Sequence, residues 1–337
     1  MSRTGVEDKQ PWKTLPPAIR EMVQTALGSP VVRANRVWGG YSPTPTFRLQ
    51  CADGSRAFFK GTNQTVTEFA RGALALEEHI YRHLGPIIRE WAPEFYASFN
   101  HADWHVVLLE DLGPKSVPPW TATKTRAVTR AIAAFHKSTV GIAHLLWVPL
   151  FTRILQVASW SRTADQTGGL RGISALAGED AESAYAWLQD ASPLLDRLIK
   201  QSANLSGAYA LLHCDLRSDN LRFNQGGLRL FDWPAIMVGP PAWDIVPFAQ
   251  SVTVEGGVLP DQIVTWYQEE FQLPEETLDS AIAWYIAFFG ERACQPEISG
   301  LPRLRVFQRQ QLGVMLAWAA RRFSMAEPVW ARNLLTS

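Results

Sequence analysis

From Tyr209 the chain reads Y-A-L-L-H-C-D-L-R-S-D-N-L-R-F and, a little later, L-R-L-F-D-W to Trp233. Short strand-like runs thus bracket an unusually polar loop inside a half that is otherwise patterned as helix. Few folds close such a loop on short strands and still bury helices around it, so this stretch constrains the rest of the chain most. Upstream, P-P-A-I-R-E-M-V-Q-T-A-L from Pro16 to Leu27 has apolar residues at helical spacing and ends at Gly28, a helix followed by its terminator. The character then changes. V-V-R-A-N-R-V-W, F-R-L-Q-C and R-A-F-F-K, joined by G-G-Y-S-P-T-P and A-D-G-S, read as an antiparallel meander over residues 31–60. A helix is expected from Glu68 to Leu84, stopped by Gly85-Pro86, and then two more strands, F-Y-A-S-F and H-V-V-L-L-E. Beyond the Gly- and Pro-rich run 111–119 the chain turns helical, with Val128, Ile132 and Phe135 on one face. Helices resume near Ala242.

The expected fold class is α+β, in two lobes: a small antiparallel-sheet lobe and a mainly helical one carrying an embedded sheet, with a cleft between them. The boundary is placed near Gly113, giving a helical extension over 1–28, a strand lobe over 29–112 and a helical lobe over 113–337. With 337 residues and 47% hydrophobic content there is enough apolar side chain for two cores. Lys and Arg balance Asp and Glu to a formal net charge of zero, which argues against a nucleic-acid coat or a membrane-surface protein. Cys51, Cys214 and Cys294 are far apart and lack C-x-x-C spacing, so neither a disulfide framework nor a zinc site is expected. The polar N-terminus, M-S-R-T-G-V-E-D-K-Q, has no secretory pattern, and a cytoplasmic protein is the expectation. The apolar window Gly141–Trp160 is interrupted by His144, Pro149, Arg153 and Gln156, and reads as buried or interfacial chain rather than a membrane span.

Phosphoryl transfer asks side chains for a base toward the acceptor hydroxyl, oxygen ligands for magnesium, cations for the phosphates and a loop that covers them. The sequence offers candidates for all four. Asp215 and Asn220 stand five positions apart in one loop, and Asp232 follows after a short strand pair. In these motifs the chain resembles the aminoglycoside phosphotransferase and choline kinase branch of the protein-kinase-like fold, whose catalytic loop has the form H-G-D-x-x-x-x-N followed by a strand ending I-D-W. The likeness runs from about Val31 to at least Ala249. It implies ATP and Mg2+ as cofactors, Asp215 as the base, and Asn220 and Asp232 as metal ligands. It also implies that Lys60 grips the α and β phosphates, with Glu77 as its ion-pair partner and Glu78 as the competing candidate. Tyr81, four residues after Glu77, favours the former. Gly39, Gly40 and Ser42 match the phosphate-covering turn, and Glu110 and Leu112 match the hinge positions whose backbone would meet the base. Cys214 stands where the family has glycine, a departure at a backbone-determined position.

Arg217, two residues after the candidate base, is read on its own chemistry as a cation for the transferring phosphoryl group. His213 and His136 are expected to be structural, and Asp244 in A-W-D-I matches a family aspartate that braces the catalytic loop. Only W-P-A-I-M-V-G-P-P-A separates Asp232 from Trp243, too short for a peptide-docking activation segment, so the acceptor is expected to be a small-molecule hydroxyl. Between Ser251 and Gly300 acidic residues outnumber the single Arg292. That stretch either faces a cationic acceptor such as an aminoglycoside or is solvated helix surface balanced by Arg303, Arg305, Arg309, Arg321 and Arg322. A nucleotide-binding pseudokinase that serves as a regulatory module is the alternative reading. The sequence leaves open the acceptor, ATP against GTP, and the oligomeric state.

Overall fold

The structure is a computed structural model that describes residues 9–38, 44–142, 147–160, 169–202, 205, 207–298, 301 and 303–336. The chain divides into two compact units, Met1–Ser116 with Asp219–Pro234 and Ile298–Arg303, and Val117–Ser218 with Ala235–Glu297 and Leu304–Ser337.

In the first unit, α1 (Pro17–Leu27) begins with proline at its first position and ends at Gly28, whose φ of 70° is left-handed. The strands β1 (Val31–Arg36), β2 (Thr46–Cys51), β3 (Arg56–Thr62), β4 (Phe95–His101) and β5 (Trp104–Glu110) form an antiparallel sheet in the order β1-β2-β3-β5-β4. Side chains alternate between the sheet's faces. Phe47, Leu49, Ala57, Phe59, Val106 and Leu108 share one buried cluster with Leu15, Ile19 and Val23 from the N-terminal segment. Lys60 therefore points to the face opposite Phe59, where α2 (Glu68–Ile88) packs against β3, β4 and β5.

The sequence predicts that α2 stops at Gly85-Pro86, but the helix runs through Pro86 to Ile88. Proline removes one backbone hydrogen bond. Leu74, Glu77, Tyr81, Leu84 and Ile88 are buried at spacings of three and four, and burial of that stripe offsets the missing bond. The hairpin β7 (Leu221–Asn224) and β8 (Gly227–Leu230) groups with this first unit although the sequence assigns it to the helical half. The Leu230 N–H donates to the Trp91 carbonyl at 2.5 Å and the Phe223 N–H to Ser116 Oγ at 2.8 Å. The first crossing between units falls at Ser116–Val117, a few residues past the expected boundary.

The second unit holds α3 (Ala122–Thr139), α4 (Gly169–Ala175), α5 (Ala181–Gln201), α6 (Ala242–Val254), α7 (Pro260–Gln268), α8 (Glu275–Ala293), α9 (Leu304–Arg322) and a closing turn, Asn333–Thr336. Within it, β6 (Ala210–Leu212) pairs antiparallel with β9 (Met237–Gly239). The sequence reading has no β9, because three residues are too few for alternation to show. Trp160, Trp243, Trp318, Phe135, Phe151, Phe248 and Tyr267 fill the core. The apolar window 141–160 is mixed: Phe151, Ala158 and Trp160 are buried, while Trp147, Leu150 and Val157 are exposed. Among the described residues no helix is long and apolar enough to cross a membrane.

Candidate active site

In the first unit, Lys60 Nζ lies 2.5 Å from Glu77 Oε2 and 3.1 Å from Asp232 Oδ1. The second oxygen of Glu77 accepts the Asp232 backbone N–H at 3.1 Å, so one carboxylate fixes both the ammonium and the chain that carries Asp232. Glu78 is turned elsewhere, toward Arg82 at 2.8 Å, His105 at 2.6 Å and Ser98. Burial alone would push the Lys60 ammonium down, but the charges of Asp232 and Glu77 outweigh it and hold its pKa above the ordinary lysine value. Burial pushes the Glu77 carboxyl up, with the Asp232 charge adding to it and Lys60 opposing. Both shifts are consistent with a cation shared by two carboxylates, of which the 1%-exposed Glu77 bears the larger desolvation.

Asn220 and Asp232 sit at matching ends of the β7–β8 hairpin. Leu221 pairs with Leu230, and the Phe231 N–H donates to the Asn220 carbonyl at 3.0 Å. Asp232 has a φ of 70°, a left-handed conformation that aspartate tolerates better than most residues. Among the described residues no group of three or more His, Cys, Asp or Glu could form an all-protein metal cage. Asn220 and Asp232 offer one amide oxygen and one carboxylate, hard oxygen groups of the kind that can hold magnesium together with water and phosphate oxygens.

A small cavity of about 30 Å³ lies beside this constellation, lined by Phe58, Lys60, Leu109, Glu110, Leu112, Arg222 and Phe231 among others. Its volume suits a water or two rather than a purine. Leu112 lies just past β5, and no described residue accepts its backbone N–H, which leaves a donor at the cavity wall. Asp111 is held by Arg48 at 2.8 Å and caps the Gly113 N–H at 3.0 Å, fixing the turn that follows. Gly39, Gly40 and Ser42 lie outside the described residues.

In the second unit, Asp215 follows β6 and keeps a 40%-exposed side chain, with Arg217 Nε at 3.0 Å from Oδ1. The loop that carries it is tied down from behind. Asp244, fully buried on α6, accepts the His213 N–H at 2.7 Å and the Cys214 N–H at 2.5 Å. His136 joins the same carboxylate at 3.1 Å and reaches the Tyr267 hydroxyl at 2.7 Å. Cys214 has a φ of 59°, which supplies the physical reason for glycine at this family position. Burial, reinforced by Asp244 and Asp215, pushes the Cys214 thiol well up, so it is not an activated nucleophile.

The acidic stretch is largely engaged within the unit. Glu269 pairs with Arg126 at 2.7 Å, Glu270 with Arg130 at 2.6 Å, Asp261 with Arg321 at 3.1 Å, and Glu275 and Asp279 both hold Arg322. Glu255 accepts from Trp120 at 2.7 Å and Ser218 at 2.5 Å. These pairs account for most of its acidity without a cationic ligand. Sequence reasoning did not single out Phe58, Phe231 or Arg222. The alternation that points Lys60 inward also points Phe58 inward, so that signal was present; Arg222 in N-L-R-F looks like any polar strand residue.

Residues 33–278 match the sequence profile of the phosphotransferase enzyme family. No curated protein sequence matches the chain. Among solved structures, a spectinomycin phosphotransferase in complex with ADP and spectinomycin aligns at a TM-score of 0.53 and 14% identity, covering 95% of this chain and 97% of the other. The gentamicin complex of APH(2")-IIa aligns at 0.52 and 15% identity, over 90% and 96% of the two chains. A macrolide 2'-phosphotransferase from Brachybacterium faecium aligns at 0.51 and 14% identity, over 89% and 98%. At these identities the alignments establish the kinase-like fold. The profile match over most of its length places this chain in the phosphotransferase enzyme family.

Proposed function

We propose that the enzyme transfers the γ-phosphoryl group of ATP to a hydroxyl of a small molecule, either an aminoglycoside-like antibiotic or an amine- or sugar-bearing metabolite. The observation that carries this reading is Lys60, held at 2.5 Å and 3.1 Å between Glu77 and Asp232. Such a cation is preorganised for phosphate oxygens and costs no rearrangement when they arrive. Asp215 accepts the proton of the acceptor hydroxyl. The acceptor oxygen then bonds to the γ-phosphorus while the bond to the β–γ bridging oxygen breaks and ADP leaves. Lys60 orients the α and β phosphates. Arg217, paired with Asp215, would supply a cation for charge building on the transferring group.

Asn220 and Asp232 would hold magnesium, which when bound neutralises phosphate charge. Asp244 keeps Asp215 in place through the His213 and Cys214 amides. The backbone at Glu110 and Leu112 would meet the base, as in the family the chain belongs to. The free cysteines fit a reducing, ATP-containing cytoplasm. Titrating Mg·ATP against thermal unfolding, then screening transfer of γ-radiolabel to aminoglycosides, macrolides, choline and amino sugars with wild type and Asp215→Ala, tests the reading. Label in a small molecule that Asp215→Ala abolishes supports it. Stabilisation by Mg·ATP with no acceptor labelled favours the pseudokinase alternative, and label in peptides alone overturns the small-acceptor assignment.

A further inference from the structure

Arg222 occupies a place that strand arginines seldom do. It is 8% exposed on β7, yet its side chain reaches the wall of the cavity that Phe58, Leu112 and Phe231 also line. Burying a guanidinium is costly unless its hydrogen bonds are replaced. Part of that replacement is local: Nε donates to the Gly113 carbonyl at 3.2 Å and Nη1 to the Leu221 carbonyl at 2.8 Å. The carboxylates of Asp219 and Asp111 supply opposing charge, though burial still draws the Arg222 pKa down. The guanidinium lies over the Phe231 ring at 4.9 Å. Among the described residues no acceptor engages its Nη2. What results is a flat cation, backed by an aromatic ring and pinned at one edge, at the wall of a cavity that Phe58, Leu109 and Leu112 share with Lys60 and Glu110.

We infer that Arg222 recognises the nucleotide base, its Phe231-backed guanidinium forming a flat cationic wall on which the ring stacks as Phe58 gives way to admit it. The inference rests on the nucleotide reading of the same cavity and adds the means of base discrimination. A cation over a ring is attracted by the ring's π electrons, so the gain is larger for guanine than for adenine and larger for purines than for uracil. Lysine carries the charge but not the plane, and does not substitute at a stacked site.

The test is calorimetric titration of the full chain with the magnesium complexes of GTP, ATP, UTP and inorganic tripolyphosphate, for wild type, Arg222→Met and Arg222→Lys. Arg222→Met is expected to weaken ATP binding about 2- to 30-fold, GTP more and UTP less, with tripolyphosphate unchanged; Arg222→Lys follows Arg222→Met. Thermal melts first establish that each variant folds, and if Arg222→Met does not, Arg222→Lys and Arg222→Gln carry the comparison. Equal losses across all four ligands, or no loss, overturn the inference while leaving the nucleotide site standing. A wild type that binds no triphosphate ligand refutes the nucleotide reading itself, and this inference with it.

Discussion

Replacing Asp244 by asparagine keeps the size of the side chain and removes its charge at a fully buried point. Asp244 accepts two backbone N–H groups, of His213 at 2.7 Å and Cys214 at 2.5 Å, one on each carboxylate oxygen. Asparagine has a single acceptor oxygen, so one of these amides meets an NH2 donor. Losing a hydrogen bond to a charged acceptor costs about 1.5–3 kcal/mol, and turning the other from charged to neutral costs roughly 1 more. With partial relaxation of the loop, a destabilisation of about 2–4 kcal/mol is expected. Urea unfolding followed by tryptophan fluorescence measures it, and amide hydrogen exchange at His213 and Cys214 localises it. Because Asp215 follows Cys214 directly, the turnover of Asp244→Asn should fall at least about tenfold. Nucleotide affinity, which the proposed function assigns to residues of the other unit, should hold. A stability loss below about 1 kcal/mol with unaltered exchange at those amides would refute the view that this carboxylate holds the loop.

Three further expectations concern separate parts of the molecule. Lys60→Met leaves Glu77 buried without its cation and should cost about 2–4 kcal/mol. Because the folded carboxyl of Glu77 already titrates above its usual 4.5, the stability linked to its protonation is fully present below 4.5 and lost as pH rises through the raised value. Lys60→Met should therefore recover relative to wild type in acid, as read by melting temperature across pH. Glu78 behaves in the opposite sense. Burial raises its pKa, but bonds from Ser98, Arg82 and His105 prevail and hold it below 4.5. The stability it adds is present above 4.5 and lost as pH falls through the lowered value, so Glu78→Gln should flatten the acid limb of the melting curve. At Cys214, whose φ is 59°, glycine should be tolerated within about 1 kcal/mol while valine costs roughly 2 or more in urea unfolding.

Much of the candidate site's arrangement is legible because the order of its side chains along the chain carries the resemblance. The resemblance singles out Lys60 and Glu77, and the structure brings the two together at 2.5 Å, on a strand face and a buried helix stripe that meet. What escaped has physical reasons. Pro86 looked like a stop because the cost of one lost bond is visible in sequence, whereas the burial of Leu84 and Ile88 that outweighs it is not. Three-residue β9 has no periodicity to read. The surroundings of Arg222 are assembled from Gly113 and Phe58, distant in sequence, and from Phe231 just past the partner strand of its hairpin, and its own strand pattern carries no sign of them.

The family profile begins at residue 33, after α1 has ended. Yet Ile19 and Val23 are fully covered, and the rings of Phe47 and Phe59 would be stripped on that side if α1 were cut away. Anyone trimming the protein to its recognisable span would lay bare a greasy sheet face and should find the product in inclusion bodies rather than in solution.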